Sequence, residues 1–447
     1  MNKKEFNSER LSIQAKQRGY YVNIYDDKWK LDNNNNINVG AVSRIINPEL
    51  IDGYLNTLSF YARNYSSAYV RKINGIMKDF LKKTASTFIS ESDILNYRSL
   101  LTEVNIQRLI LLRCFFKKWH SLGYYGIDDN AITLMEAMRL KAKSAGTIVK
   151  QEDPEKGALT NNEHKALNES MFNAYKNKKI TLQELSSALL VSFTGRRALQ
   201  IVALKFKDIV REKNSDGNDL FFINVPRIKQ GKEFRKEFRM LSIDGFIYKL
   251  LMQQVNFSIS LIEGHIGRTL FSEEKNEVAV FLDKKNYKML NEINGFYEVL
   301  VSDRLHASKN TVSLSLKKIV EKENVMSERT GERMKINAYR LRYTLGTKLA
   351  REGYSSQIIA ELLDHSSTAT VGIYTENLPD NSIKINEAVS DNLGFLAGVF
   401  LGKIKLNEIT SNDVFTINSY SSCTEYSTIS CHGCIHFKRF KDGGVNE

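Results

Sequence analysis

The sequence predicts a mainly α-helical protein carrying one small antiparallel β-sheet. Three observations support this. Apolar residues recur at three- and four-residue intervals through most of the chain, the spacing of a single helix face. After Asp208 the period changes, and turn signals at "NSDGN" and "KQGK" separate three runs of β-rich or alternating character. At 447 residues the chain also exceeds one hydrophobic core, so two or three domains are expected.

Residues 1–46 are polar and include the asparagine run of "LDNNNNINVGAV", which suits a turn better than a helix interior. They read as an N-terminal arm or appendage. Residues 47–145 read as a compact helical domain: "ELIDGYLNTLSFYARNYS", "SAYVRKINGIMKDFLKK", "SESDILNYRSLL" and "TEVNIQRLILLRCFFKKWHSLGYYG" each carry helical periodicity with short connections. Residues 146–158 are rich in small, charged and turn-forming types and read as a linker. A second block spans 159–385. In it Thr181 and Glu184 have capping-box spacing, Ser308 stands to cap "KNTVSLSLKKIVEKENV", and Ser355 or Ser356 stands to cap "QIIAELLDH". Residues 386–447 form a C-terminal extension with a cluster of cysteine and histidine.

Composition narrows the functional classes. Apolar residues make up 42% of the chain and charged residues 26%, ordinary for a soluble globular protein. No run approaches the length of a membrane span, and the charged N-terminus lacks the apolar region of an export signal, so a cytoplasmic protein is expected. Lys and Arg number 64 against 51 Asp and Glu, a formal charge of +13. Such an excess favours a polyanionic partner, because neutralised phosphates release condensed counterions. The four cysteines, three of them near the C-terminus, do not resemble a disulfide framework for a chain this long, and a reduced compartment is expected.

Two stretches carry the chemistry. "TGRRALQIVALKFKDI" presents Arg197, Leu204 and Asp208, and "AYRLRYTLGTKLAREGYSSQIIAELLDHSSTATVGIYTEN" presents Tyr339, Arg342, His365 and Tyr374. These resemble the two conserved boxes of the tyrosine recombinase, or phage integrase, family. Lys229 of "RIKQGK" falls where that family has its lysine between two strands, with Lys232 as a competitor. Singly, each residue has an ordinary structural role. Together and in order, Arg, Lys, Arg, His and Tyr form the family's set.

The resemblance implies a helical core-binding, SAM-like DNA-binding domain at 47–145 and a tyrosine-recombinase-like catalytic domain at 159–385. It implies a site-specific recombinase or integrase that acts through a 3′-phosphotyrosyl intermediate. Double-stranded DNA is the implied partner, bound as a homotetramer on paired sites. In that scheme Arg197 and Arg342 clamp the phosphate, since a planar guanidinium matches its geometry. Tyr374 attacks, His365 assists as base or hydrogen-bonding partner, and Lys229 protonates the leaving oxygen. No metal, ATP or other cofactor is expected.

The match has departures. Tyr339 stands at the usual histidine position, Gln200 where the family often has an acidic residue, and Asp364 where glycine is common. A type IB topoisomerase-like relaxing enzyme, which shares the nucleophile chemistry but needs no site pairing, is one alternative; the departures keep open a second, a catalytically decayed, sequence-specific DNA-binding factor. In the tail, Cys423, Cys431, Cys434 and His436, with His432 nearby, are candidates for a structural zinc site. The first cysteine spacing is irregular, so unpaired thiols are the competing expectation.

Overall fold

The computed structural model describes residues 12–140, 152–228, 234–292, 295–365, 371 and 374. Its described part is mainly helical, with small antiparallel sheets. Two hairpins come first. Strand β1 (Ser12–Gln14) pairs with β2 (Tyr21–Asn23), and β3 (Lys28–Asp32) pairs with β4 (Asn35–Asn38). Alternate residues point inward, so Trp29 and Leu31 are buried while Lys28 and Lys30 stay exposed.

Helices follow: α1 (Gly40–Ser43), α2 (Ile51–Asn64), α3 (Ser67–Thr84), α4 (Glu91–Ser99), α5 (Gln107–Ser121) and α6 (Asp129–Ala137). Their starts are set by side chains that satisfy otherwise unpaired backbone donors. Ser66 accepts from the Tyr69 N–H, and Ser90 forms a reciprocal box with Asp93. Tyr54, Phe80, Phe115, Phe116 and Trp119 fill the interior in mostly edge-on contacts. Ile13, Val22, Trp29, Leu31 and Ile37 of the hairpins belong to this same buried cluster. A boundary at residue 46 therefore cuts through one core. The arm reading overlooked it because strands of three to five residues are too short to register as a period.

The second core is built on α7 (Asn161–Lys176), α8 (Leu182–Thr194), α9 (Ala198–Val202), α10 (Gly245–Ile266), α11 (Ser272–Asn276), α12 (Phe296–Val301), α13 (Asn310–Lys322), α14 (Ala338–Arg351) and α15 (Ser356–Leu362). Helix α8 is its axis. Leu185, Leu189, Leu190 and Val191 are buried, and so are Ser186 and Ser187, whose hydroxyls bond back to Leu182 O and Glu184 O. A helix buried all round needs such internally satisfied polar groups. The capping box of Thr181 with Glu184 starts α8, and Ser355 caps α15.

Strands β5 (Ile209–Lys213), β6 (Asp219–Pro226) and β7 (Phe238–Ile243) form one antiparallel sheet in that order. The "NSDGN" turn closes the first pair, with Gly217 at φ +79°. Asp208 accepts two bonds from Arg235 at 2.6 and 2.8 Å, which pins the start of β7 to the end of the first arginine segment. The end of the expected linker is also fixed: Arg340 donates to Gly157 O and Pro154 O, and Arg329 donates to Ala158 O.

Polar contacts join the two cores. At the β3–β4 tip, Asn33 Nδ2 donates to His306 O at 2.6 Å, and its backbone N–H donates to Asp303 Oδ2 at 3.1 Å. Asn34 Oδ1 accepts from Lys309 N at 2.8 Å. Tyr20 donates to Asp303 Oδ1 at 2.7 Å, and Arg304 donates to Gly19 O at 2.6 Å. No helix among the described residues is long and apolar enough to cross a membrane.

Candidate active site

The site forms where α8 ends. Gly195 takes φ +58° as the cap residue, a conformation that costs glycine little. A Cβ there would also lie 2.9 Å from the Cδ2 atoms of Leu345 and Leu363. The chain then turns, and Arg197 becomes the residue before α9, with its N–H bonded to Gln200 Oε1 at 3.1 Å.

Helix α14 supplies Arg342, whose side chain is buried. It donates to Gly195 O at 2.9 Å and to Leu363 O. Arg197 donates to Asp364 O at 3.0 Å. Carbonyls of consecutive residues 363 and 364 thus hold the two guanidinium groups, and the next residue is His365. Burial lowers both arginines, Arg342 to about 10, where it stays charged at neutral pH; the neighbouring Arg197 contributes to the Arg342 shift.

Tyr374 is buried at 4% exposure and belongs to a small cluster with Leu349, Ile359 and Val371. Its ring lies on Gly346 of α14, where a Cβ would stand only 2.7 Å from the tyrosine Cε1. Burial pushes the phenol up to about 12, while Arg342, through charge and a hydrogen bond, pulls the other way. The His365 ring stacks parallel to that of Tyr374, with centroids 6.2 Å apart and planes 17° apart. Burial, Arg342 and Arg197 lower His365 to about 4, so it is neutral at pH 7. Its Nδ1 is buried and has no hydrogen-bond partner among the described residues.

Arg197, Arg342, His365 and Tyr374 therefore come together. Tyr339, more than half exposed, faces a cavity of about 900 Å³ together with Arg197 and Arg342. Lys16, Asn34 and Tyr65 of the first core line its other side. Lys229 and Lys232 lie outside the described residues, as do Cys423, Cys431, Cys434, His432 and His436. Among the described residues no group of His, Cys, Asp or Glu could hold a metal ion.

Several participants were not singled out from the sequence. Gly346 makes room for the tyrosine ring. Arg227, at the end of β6, donates from Nε to Asp364 Oδ1 at 2.7 Å. Arg196, 1% exposed, leaves Nε and Nη1 without partners among the described residues, and burial lowers it to about 10. Only the doubled arginine of "TGRR" hinted at it.

The phage integrase family model matches residues 158–380. Among solved structures, the XerH site-specific recombinase bound to its difH substrate is 17% identical, with a TM-score of 0.45, covering 79% of this chain and 92% of that one. The Tn1549 transposon integrase in complex with transposon right end DNA is 13% identical, with a TM-score of 0.44, covering 76% and 98%. The XerA recombinase is 16% identical, with a TM-score of 0.34, covering 75% and 98%. By sequence, no curated protein matches. With the family model matched across residues 158–380, which carry the second core and the buried Tyr374, the chain belongs to the phage integrase family of tyrosine site-specific recombinases.

Proposed function

We propose that this protein cleaves and rejoins DNA at specific sites through a 3′-phosphotyrosyl intermediate. The observation that carries the reading is the convergence of Arg197, Arg342, His365 and Tyr374 from separate segments on one point of the fold.

Attack by Tyr374 Oη on the scissile phosphorus forms the phosphotyrosyl bond and breaks the bond to the 5′ oxygen. Charge builds on the non-bridging oxygens in the transition state. Two permanently charged guanidinium groups, already fixed by backbone carbonyls, can stabilise it with little reorganisation. They supply the charge without calling on a metal. The phenol proton needs an acceptor, and neutral His365 has an unpartnered Nδ1. Its low basicity in the free protein stems partly from Arg342 and Arg197. A bound phosphate offsets both charges and so raises the affinity of His365 for a proton.

In this reading Tyr339, which lines the same cavity as Arg197 and Arg342, donates a hydrogen bond to that phosphate. Lys229 is the proposed acid that protonates the departing 5′ oxygen, which leaves as a hydroxyl. The bond energy stays in the protein–DNA link, so a second DNA hydroxyl can reseal the strand without ATP. The net charge of +13 suits a double-stranded DNA partner. A homotetramer on paired sites and a cytoplasmic location complete the reading.

A decayed DNA-binding factor is the weaker alternative. Decay would leave the departures at 200 and 364 unrelated, yet Gln200 Nε2 donates to Asp364 Oδ2 at 2.9 Å. The deciding experiment is covalent capture on nicked duplex DNA, with the site identified by sequencing DNA retained on the protein. The parent chain is expected to form an adduct and Tyr374→Phe none; an adduct of unchanged yield with Tyr374→Phe defeats the proposal. A requirement for two sites separates it from a relaxing topoisomerase.

A further inference from the structure

Gln200 and Asp364 are both fully buried, and together they satisfy one another and their surroundings. Gln200 Oε1 accepts from Arg197 N at 3.1 Å, while Nε2 donates to Pro226 O at 3.1 Å and to Asp364 Oδ2 at 2.9 Å. The other oxygen, Asp364 Oδ1, accepts from Arg227 Nε at 2.7 Å. Arg197 Nη1 lies 3.8 Å from Oδ2 and is bonded to the carbonyl of the same aspartate. One carboxylate therefore ties the first arginine segment, the end of β6 and the segment preceding His365 to a single point.

The backbone shows that this side chain is retained at a cost. Asp364 sits at φ +53°, a region that glycine occupies freely and other residues only with strain. Aspartate and asparagine are among the few that tolerate it. An aspartate placed there contributes something glycine cannot, and its buried oxygens identify what.

We infer that Asp364 is a positioning residue for strand cleavage: its carboxylate, gripped by Gln200 and Arg227, sets the placement of Arg197 and of the backbone that presents His365. It does not touch the reacting phosphate. Buried charge supports the role. Burial disfavours charge on Arg196, Arg197 and Arg342, and Asp364 offsets that effect for each. Gln200 is the complementary choice, because a second carboxylate at that position would face the first without a proton between them.

The inference rests on the proposed cleavage reaction, and its test keeps the two apart. Single-turnover covalent capture on the nicked duplex is measured for the parent, D364N, Q200E and the exchanged pair Q200E/D364N, together with DNA affinity and thermal melting. Asparagine tolerates the left-handed backbone, so D364N removes the charge while keeping the turn. It is expected to cleave about 10²-fold more slowly at saturating DNA, the effect of a misplacement of roughly 1 Å, with affinity changed far less. Q200E alone brings two carboxylates together and is expected to slow cleavage as well. In the exchanged pair the carboxylate and amide face each other again, and cleavage is expected to recover to within about tenfold of the parent. Recovery is incomplete because the carboxylate at 200 no longer donates to Pro226 O.

A folded D364N that cleaves at the parent rate overturns the inference. If D364N does not fold, the exchanged pair decides: recovery supports it, and a folded exchanged pair no faster than about a hundredth of the parent overturns it. Absence of any adduct from the parent instead overturns the proposed reaction, and this inference with it.

Discussion

Replacing Gly346 by alanine separates the placement of Tyr374 from the stability of the fold. The new Cβ would stand 2.7 Å from Cε1 and Cζ of Tyr374 and 3.0 Å from Cδ1. Carbon atoms settle at about 3.5–4.0 Å, so the ring must retreat by about 1 Å. Two terms then oppose each other in stability. Overpacking costs about 1–3 kcal/mol, whereas alanine in a helix interior gains about 1 kcal/mol over glycine. The net loss is therefore small, about 0–2 kcal/mol. The effect on rate is not offset, because a displacement of roughly 1 Å at a reacting group costs about 10²-fold. The assay is single-turnover capture on nicked duplex, run beside thermal melting. A folded Gly346→Ala protein that forms adduct at the parent rate would refute the placement of Tyr374 against α14.

Four further outcomes follow from the same structure. His365 is lowered from 6.5 to about 4 in the fold, so below pH 6.5 the unfolded chain binds the proton first; stability should fall from about pH 6.5 towards pH 4, and His365→Asn should flatten that slope in denaturation titrations. Tyr339→Phe removes a donor facing the arginine cavity and should slow cleavage by about 10–100-fold, the worth of a hydrogen bond to a charged group; an unchanged rate would remove Tyr339 from the site. Gly53→Ala would put a Cβ 2.1 Å from Trp119 Nε1, so the first core should lose about 1–3 kcal/mol, read as a lower melting temperature. Lys205 Nζ is buried against Glu277 at 2.7 Å and two carbonyls at 2.8 Å; Lys205→Met strands those acceptors and should cost about 3–5 kcal/mol in chemical denaturation.

The sequence was informative where structure is local. Helix periodicity located the four helices between Ile51 and Ser121, and the Thr181–Glu184 cap could be named from spacing, while the choice between Ser355 and Ser356 came only with the fold. It was uninformative where structure depends on partners far along the chain. Trp29 and Leu31 are ordered by burial against helices that begin later, so their hairpin read as a polar arm. Arg197, Arg342, His365 and Tyr374 could be named as candidates because residue type and order survive without coordinates, and the fold brings them together. The Gln200–Asp364 bond was not legible, since two departures from a pattern, far apart in sequence, reveal their complementarity only in space. Gly346 was hidden similarly, as an unremarked glycine inside a helical run.

While Asn33 and Asn34 hold the two cores together, the cavity before Arg197 and Arg342 is about 900 Å³, the size of a small-molecule pocket. Any separation of the cores must break the bonds at the hairpin tip, and each adds roughly 0.5–1.5 kcal/mol to the work of opening. For a ligand that binds only the separated form, observed affinity is the intrinsic affinity reduced by the fraction of molecules that are open. Under the proposed function, the asparagine tip lowers the affinity for any DNA that binds only the separated cores, and lowers it by the same factor for every sequence.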